Sequence, residues 1–123
     1  MEKDSLTEKV IGCAISVHKE LGPGLLESSY EHCLNYELNT QGIAVQRQVT
    51  LPVKYKSITV DAGYRLDLLV EDNLIVELKA VDKLSNIHLA QMMTYLKLTG
   101  IKTGLIVNFN VIKLVNGIKR VSL

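Results

Sequence analysis

Apolar residues recur at two spacings along the chain, and the change from one spacing to the other separates helices from strands. Over residues 5–21 they recur every three to four positions, and the same spacing returns over 26–40. Both stretches therefore predict amphipathic helices. Between them stands Gly22-Pro23-Gly24, a combination that breaks a helix.

Beyond the second helix the spacing falls to two, which is typical of strands with one buried face. Residues 43–55 alternate in this way, and Pro52 indicates an edge or a bulge near the far end. A turn at Lys56-Ser57 leads back into a predicted strand that continues, with a break near Gly63, to Val70. After a short turn, residues 74–80 predict the next strand.

The last third of the chain predicts one more helix and three more strands. Helical spacing covers 84–98, and the apolar run 105–107 after it is typical of a buried strand entered by a crossover. Asn116-Gly117 is a signal for a two-residue hairpin turn, so we expect strands over 111–115 and 118–121. The order ααβββαβ with a terminal hairpin predicts an α/β fold.

Composition and charge are those of an ordinary globular protein. The 123 residues are 47% hydrophobic and 22% charged, which suits one domain over residues 1–123 with its own core. The net charge of +1 means that any basic surface has to be local. No apolar run approaches the roughly 20 residues that cross a bilayer, and the charged N-terminus does not resemble a signal peptide. We expect a cytoplasmic protein without a membrane segment, in which Cys13 and Cys33 are small buried side chains.

The hairpin predicted over residues 64–80 has one apolar and one charged face. If Val70 pairs with Leu74 across the turn, Asp67 lies opposite Glu77, with Cβ atoms about 4.5–5.5 Å apart. Two carboxylates this close repel each other unless one is protonated or a cation lies between them. Mg²⁺ and Mn²⁺ are cations that prefer carboxylate, water and phosphate oxygens.

The basic residues Arg65 and Lys79 are predicted to project from the same charged face. Lys79 is suited to orienting an attacking water or to stabilising charge that develops on phosphorus. The simpler alternative is a solvated face on which Asp67 pairs with Arg65 and Glu77 pairs with Lys79. Alternation of side chains does not decide between the two.

Polar residues also stand among the apolar positions of two helices. Glu27 lies three residues before Tyr30 on the apolar stripe, and a buried acid needs a partner or a metal, although Glu27 could simply cap the first turn. Gln91 lies on a largely apolar face of the third helix, where its amide needs a hydrogen-bond partner. His88, three residues before Gln91, is a candidate for the same cleft.

Taken in order, these residues resemble a known family. Asp67, nine intervening residues and then Glu77-Leu78-Lys79 resemble the D…ExK signature of the PD-(D/E)XK nuclease superfamily. Residues 91–95 are similar to the QxxxY motif of one exonuclease-like branch, and residues 24–30 match the GxxExxY motif that names a small family within the superfamily. The resemblance runs from about residue 8 to the C-terminus, and its main departure is Leu66, where the superfamily usually has proline.

The resemblance implies a restriction-endonuclease-like αβββαβ core, in which a mixed sheet is flanked by helices, with an extra N-terminal helix and a C-terminal hairpin. It also implies a nuclease that uses Mg²⁺ or Mn²⁺ to hydrolyse phosphodiester bonds of nucleic acid, with DNA as the leading expectation. Asp67 and Glu77 would then be metal ligands, and Lys79 would position or activate the water. Glu27 would complete the acidic cluster directly or through water, and Gln91 would orient Lys79 or the phosphate.

Substrate contacts, on the same resemblance, fall to Arg65, His88 and Tyr95, with Tyr95 supporting its helix or a backbone phosphate. A homodimer or a separate partner protein would enlarge the footprint of so small a chain on nucleic acid. Two other hypotheses remain open: a nuclease-fold module that binds nucleic acid or protein without turnover, and a structural domain with salt-bridged acids. The complete set of Asp67, Glu77 and Lys79 favours the nuclease.

Overall fold

A mixed five-stranded sheet organises the chain, of which the computed structural model describes residues 3–123. In chain order the strands are β1 (Val45–Thr50), β2 (Val53–Tyr55), β3 (Ile58–Val60), β4 (Arg65–Val70), β5 (Leu74–Lys79), β6 (Thr103–Asn108) and β7 (Ile118–Ser122). The sheet has the order β1-β4-β5-β6-β7, with β5 and β6 parallel and the other neighbours antiparallel. Strands β2 and β3 form a separate antiparallel hairpin between β1 and β4.

Helices cover both faces of this sheet. Helix α1 (Lys3–Leu21) and helix α2 (Glu27–Thr40) pack on one face, and helix α3 (Asn86–Thr99), the crossover from β5 to β6, packs on the other. Strand β5 is therefore buried on both sides, and its alternate residues enter different cores. Val76 packs towards α1 and α2, whereas Ile75 packs towards α3. The arrangement confirms the predicted α/β restriction-endonuclease-like fold.

Most of the predicted elements are present close to their expected bounds. The three helices form, and Val70 pairs with Leu74 across the turn as expected. The long strand predicted over 43–55 is interrupted at Pro52, because proline has no N–H to donate to the ladder. The N–H of Leu51, just before it, still donates to the carbonyl of Tyr64 in register with the pairing of β1 and β4. No helix within residues 3–123 is both long enough and apolar enough to cross a membrane.

The predicted turn at Asn116-Gly117 is wrong in detail. Residues Leu114–Gly117 form a short 3₁₀ helix, residues 111–113 form no strand, and β7 pairs with β6. A two-residue hairpin turn of this type requires positive φ at both central residues, and neither Asn116 nor Gly117 adopts it. The glycine is required for another reason: a Cβ at Gly117 would lie 2.2 Å from the carbonyl oxygen of Asn108.

Candidate active site

The ladder between β4 and β5 opens where Asp67 faces Glu77. Regular pairing runs from the turn as far as Leu68 and Val76. Beyond that point carboxylates replace carbonyls as acceptors: the N–H of Asp67 donates to Oε2 of Glu77 over 2.8 Å, and the N–H of Leu78 donates to Oδ2 of Asp67 over 2.9 Å. Each carboxylate is therefore held by the backbone of the opposite strand.

Burial makes two full negative charges unfavourable at this point. Glu77 is 5% exposed, and burial is the main reason that its pKa rises to about 8, with the charge on Asp67 raising it further. Burial also raises the pKa of Asp67, while the N–H of Leu78 and the charge of Lys79 act in the opposite direction. A pair of carboxylates in this state is the kind of site that a bound cation stabilises.

The basic residues of the charged face do not neutralise the pair by direct contact. Neither an Asp67–Arg65 nor a Glu77–Lys79 ion pair forms in the described part of the chain. Arg65 is exposed and donates from Nη1 to the hydroxyl of Thr50 over 3.0 Å. Lys79, half-buried at the end of β5, lowers the pKa of both carboxylates through its charge. The salt-bridged face expected under the structural hypothesis therefore does not form among the described residues.

Glu27 begins α2 and is exposed, so the expectation that it lies buried on the apolar stripe is wrong. Its position at the first residue of the helix leaves its side chain outside the core. It is nevertheless close enough to the pair for its charge to raise the pKa of Glu77. Glu27 thus contributes negative charge to the site from its solvent side.

The tyrosine and glycine of the GxxExxY segment shape the loop that leads into Glu27. The hydroxyl of Tyr30 donates to the carbonyl of Gly22 over 2.6 Å and accepts from the N–H of Leu25 over 3.1 Å. Gly24 has φ of 101°, a conformation that side chains other than glycine rarely adopt. The glycine and the tyrosine of the motif therefore stabilise the loop, and the glutamate is the candidate for a catalytic role.

Residues that follow β6 pack against this loop and against the end of α1. The ring of Tyr30 stacks on that of Phe109, with centroids 4.2 Å apart and planes 8° from parallel. Nε2 of His18, near the end of α1, lies 2.8 Å from the carbonyl oxygen of Val111. The connection from β6 to β7 thus holds both N-terminal helices.

The buried acid of α2 is Glu31, which sequence reasoning missed. It lies one turn after Glu27, is 7% exposed and forms an ion pair with Arg47 of β1 over 3.1 Å. Its charge raises the pKa of Asp67, so it belongs to the electrostatic surroundings of the pair. The spacing of four residues from Glu27 was the only signal available in the sequence.

Gln48 of β1 connects this buried acid to the carboxylate pair. Its Nε2 donates to Oε1 of Glu31 over 2.6 Å and lies 3.5 Å from Oδ1 of Asp67. The residue has φ of 52°, a left-handed conformation that is uncommon for glutamine and for a strand. Strained backbone of this kind is found preferentially at functional sites.

Helix α3 carries three predicted site residues, of which Gln91 and Tyr95 lie near the pair and His88 does not. Gln91 and Tyr95, one turn apart, line a cavity of about 340 Å³. Burial raises the pKa of Tyr95, and the charges of Glu77 and Asp67 raise it further. Tyr95 packs in one apolar cluster with Leu66 and Ile75, which are strand neighbours of the pair. His88 instead completes a capping box with Ser85 at the start of the helix, where its Nδ1 accepts the N–H of Ser85 over 3.1 Å. His88 therefore caps the helix and does not line the cavity, where we expected it.

A family model for the PD-(D/E)XK nuclease superfamily matches residues 4–121, almost the whole chain. The chain belongs to the PD-(D/E)XK nuclease superfamily. No curated protein and no solved structure gives a significant match. Membership in this superfamily agrees with the mixed sheet flanked by helices and supports nuclease activity as the general function.

The residues of this PD-(D/E)XK site fit a small divalent cation. Mg²⁺ is bound through one or two carboxylates, with water and substrate phosphate completing its shell. Asp67 and Glu77 supply two carboxylates. Oε1 of Glu77 accepts no hydrogen bond from any residue in 3–123, so it is free to bind a cation. No group of three His, Cys, Asp or Glu side chains that could hold a metal lies within those residues, so Glu27 does not complete a preassembled ligand set.

Proposed function

We propose that this protein is a metal-dependent nuclease of the GxxExxY family that hydrolyses phosphodiester bonds of DNA, acting as one domain over residues 1–123. The observation that carries the proposal is the pair of half-buried Asp67 and buried Glu77, each held by the backbone of the opposite strand, with Lys79 at the same end of β5. The family assignment rests on the segment 24–30, whose tyrosine and glycine shape the loop before Glu27.

Asp67 and Glu77 are the proposed ligands of Mg²⁺ or Mn²⁺. The bound cation would polarise a phosphoryl oxygen and supply positive charge where negative charge develops. Lys79 donates up to three hydrogen bonds, which suits it to orienting an attacking water or to stabilising the phosphate oxygens. Glu27 extends the acidic cluster towards solvent.

Polar groups around the pair are the proposed contacts for the substrate. Arg65 is exposed beside the pair, and its guanidinium is suited to a phosphate of the DNA backbone. Gln91 and Tyr95 face the cavity next to the pair, where they can orient the phosphate or the adjoining nucleotide. A homodimer would lengthen the contact with DNA.

The proposed location is the cytoplasm. Both Cys13 and Cys33 are free thiols, as is usual where the surroundings are reducing. Neither has a disulfide partner among the described residues. Free thiols agree with this location.

The direct test is cleavage of labelled single-stranded, duplex and branched DNA, with RNA alongside, in Mg²⁺, Mn²⁺ or EDTA. We expect cleavage that requires the metal and falls about 100-fold or more in Lys79→Ala, as is usual when a group that stabilises the transition state is removed. Lys83→Ala is the matched control, because Lys83 is exposed and follows the same strand. Absence of cleavage with intact binding of DNA would favour the non-catalytic module instead.

A further inference from the structure

A cavity of about 340 Å³ lies between α3 and the segments that flank the β2–β3 hairpin. Tyr64 and Tyr95 contribute aromatic rings, Leu51 and Leu98 contribute aliphatic walls, and Gln91 contributes an amide. Tyr64 precedes Asp67 by three residues, and Tyr95 packs in one apolar cluster with Leu66, next to Asp67, and Ile75, two residues before Glu77. The cavity therefore lies near the proposed catalytic pair. A ligand in this cavity would therefore lie next to a phosphate bound at the pair.

The two tyrosines have different exposures, which gives the cavity a wall and a rim. Tyr95 is 6% exposed and fixed in the core, whereas Tyr64 is 46% exposed and lies outside the regular strands. Its backbone is nevertheless fixed, because its carbonyl accepts the N–H of Leu51 over 2.9 Å. Tyr64 can therefore cover a ligand that rests against the wall without rebuilding the fold.

Gln91 supplies the polar group that such a cavity needs for specificity. Its side chain is half-buried, and its amide forms no hydrogen bond with another described residue. An amide offers both donors and an acceptor. Apolar cavities with a few convergent polar groups are typical of sites for small-molecule ligands.

A nucleobase has this combination of properties. Its two faces stack on aromatic and aliphatic side chains, and its edge carries donors and acceptors. The base of a nucleotide also lies close to its own phosphate, as the cavity lies close to the carboxylate pair. In a duplex the base is stacked and paired, so it has to leave the helix before it can enter such a pocket.

We propose that this cavity binds one unpaired nucleobase beside the phosphodiester bond that is cut, so that single-stranded DNA, or DNA with an unpaired end, is the preferred substrate. Tyr64 stacks on the base, and Gln91 hydrogen-bonds its edge. The inference rests on the proposed nuclease function and adds the substrate class to it.

The first experiment removes bases from the substrate one at a time. Single-stranded DNA that carries one abasic residue at successive positions is compared with the intact strand in Mg²⁺. We expect cleavage to fall about tenfold when the missing base is the one next to the cut, since a stacked base contributes about that much. A missing base farther away should have no effect, and fully paired duplex should be cut more slowly.

The second experiment changes the rim of the cavity. Tyr64→Ala should weaken binding of a labelled oligodeoxythymidylate in EDTA by about tenfold, and Tyr64→Phe should retain it, because the ring rather than the hydroxyl stacks. Tyr36→Ala is the control, since Tyr36 is an exposed tyrosine of α2 outside the cavity. Circular dichroism verifies that each variant is folded.

The two measurements separate this inference from the proposed function. Cleavage that is indifferent to abasic residues and to Tyr64→Ala would overturn the base pocket and leave the nuclease intact. Binding in EDTA that depends on the base and on Tyr64, without cleavage in any metal, would support the pocket and overturn the nuclease. Neither binding nor cleavage would overturn both.

Discussion

Asp67 and Glu77 hold each other in place across two strands: the N–H of Asp67 binds the carboxylate of Glu77, and the N–H that follows Glu77 binds the carboxylate of Asp67. The two acids are oriented before any cation arrives, so little rotamer freedom remains to be lost on binding. The same arrangement keeps the buried carboxylate of Glu77 close to a second acid, the half-buried Asp67. Stability and metal binding therefore make opposite demands on this pair.

Neutralising Glu77 should stabilise the metal-free protein. Glu77→Gln keeps an acceptor for the N–H of Asp67 and removes a desolvated charge. At pH 8 and above we expect its free energy of unfolding to exceed that of the wild type by on the order of 1–3 kcal/mol, and metal binding to be lost. Urea denaturation in EDTA measures this difference.

The stability that Glu77→Gln gains over the wild type should increase with pH. Because the pKa of Glu77 is raised from 4.5 to about 8 in the folded state, the folded protein holds this proton more tightly than the unfolded chain. That contribution is complete below pH 4.5 and is lost as the pH rises to about 8. The advantage of Glu77→Gln should accordingly grow between these values, and parallel curves for the two proteins would contradict the burial argument.

A divalent cation should stabilise the folded protein through the pair. At 100 times its dissociation constant, a ligand that binds only the folded state contributes about 2.7 kcal/mol. We expect Mn²⁺ or Mg²⁺ to raise the melting temperature of the wild type but not that of Asp67→Asn. Asp82→Asn, which changes an exposed acid just beyond β5, should respond like the wild type. An equal shift in Asp67→Asn would show that the cation binds elsewhere.

Gln48 should act on the metal site as a positioning residue. Its amide connects Glu31 to Asp67, and loss of such supporting contacts typically weakens metal binding by about 10–100-fold. Gln48→Ala should show this loss in a calorimetric titration with Mn²⁺, while Gln46→Ala, at an exposed position of the same strand, should not.

A second variant separates the amide of Gln48 from its strained backbone. Gln48→Gly relieves the positive φ and also removes the amide. We expect it to bind metal as weakly as Gln48→Ala while unfolding at a higher denaturant concentration. Recovery of affinity in the glycine variant would assign the effect to strain instead.

Tyr30→Phe tests the structural role of the GxxExxY segment. The substitution keeps the stacking on Phe109 but removes the hydroxyl that fastens the loop before Glu27. We expect a loss of about 1–2 kcal/mol in the free energy of unfolding, since two partners lose a hydrogen bond. Tyr36→Phe, at an exposed position of α2, should cost nothing measurable in the same denaturation experiment.

Local pattern was sufficient for the elements of the fold and for the carboxylate pair. Asp67 and Glu77 belong to one hairpin, so alternation and a three-residue turn fixed their register. Glu31 and Gln48 join the pair only because β1 lies beside β4 and α2 packs on β1, and neither relationship is visible in the sequence. Long-range pairing of this kind decides which polar side chains become buried together.

The errors have equally local causes. His88 shares a helical face with Gln91, but it follows Ser85 by three residues, and that spacing makes it a partner in a helix cap. Asn116-Gly117 has the composition of a tight turn, yet close packing on Asn108 required the glycine. In both cases one residue type serves two structural purposes, and composition does not distinguish between them.

The stacking of Tyr30 on Phe109 has a consequence for any shortened form of the chain. Asp67, Glu77 and Lys79 all precede residue 80, so a truncated protein that ends before Phe109 would keep every acid and base proposed for chemistry. It would lack the aromatic ring beneath Tyr30 and the carbonyl of Val111 beside His18. The C-terminal segment thus governs a site to which it contributes no reactive group, and deletions there would mimic active-site mutations.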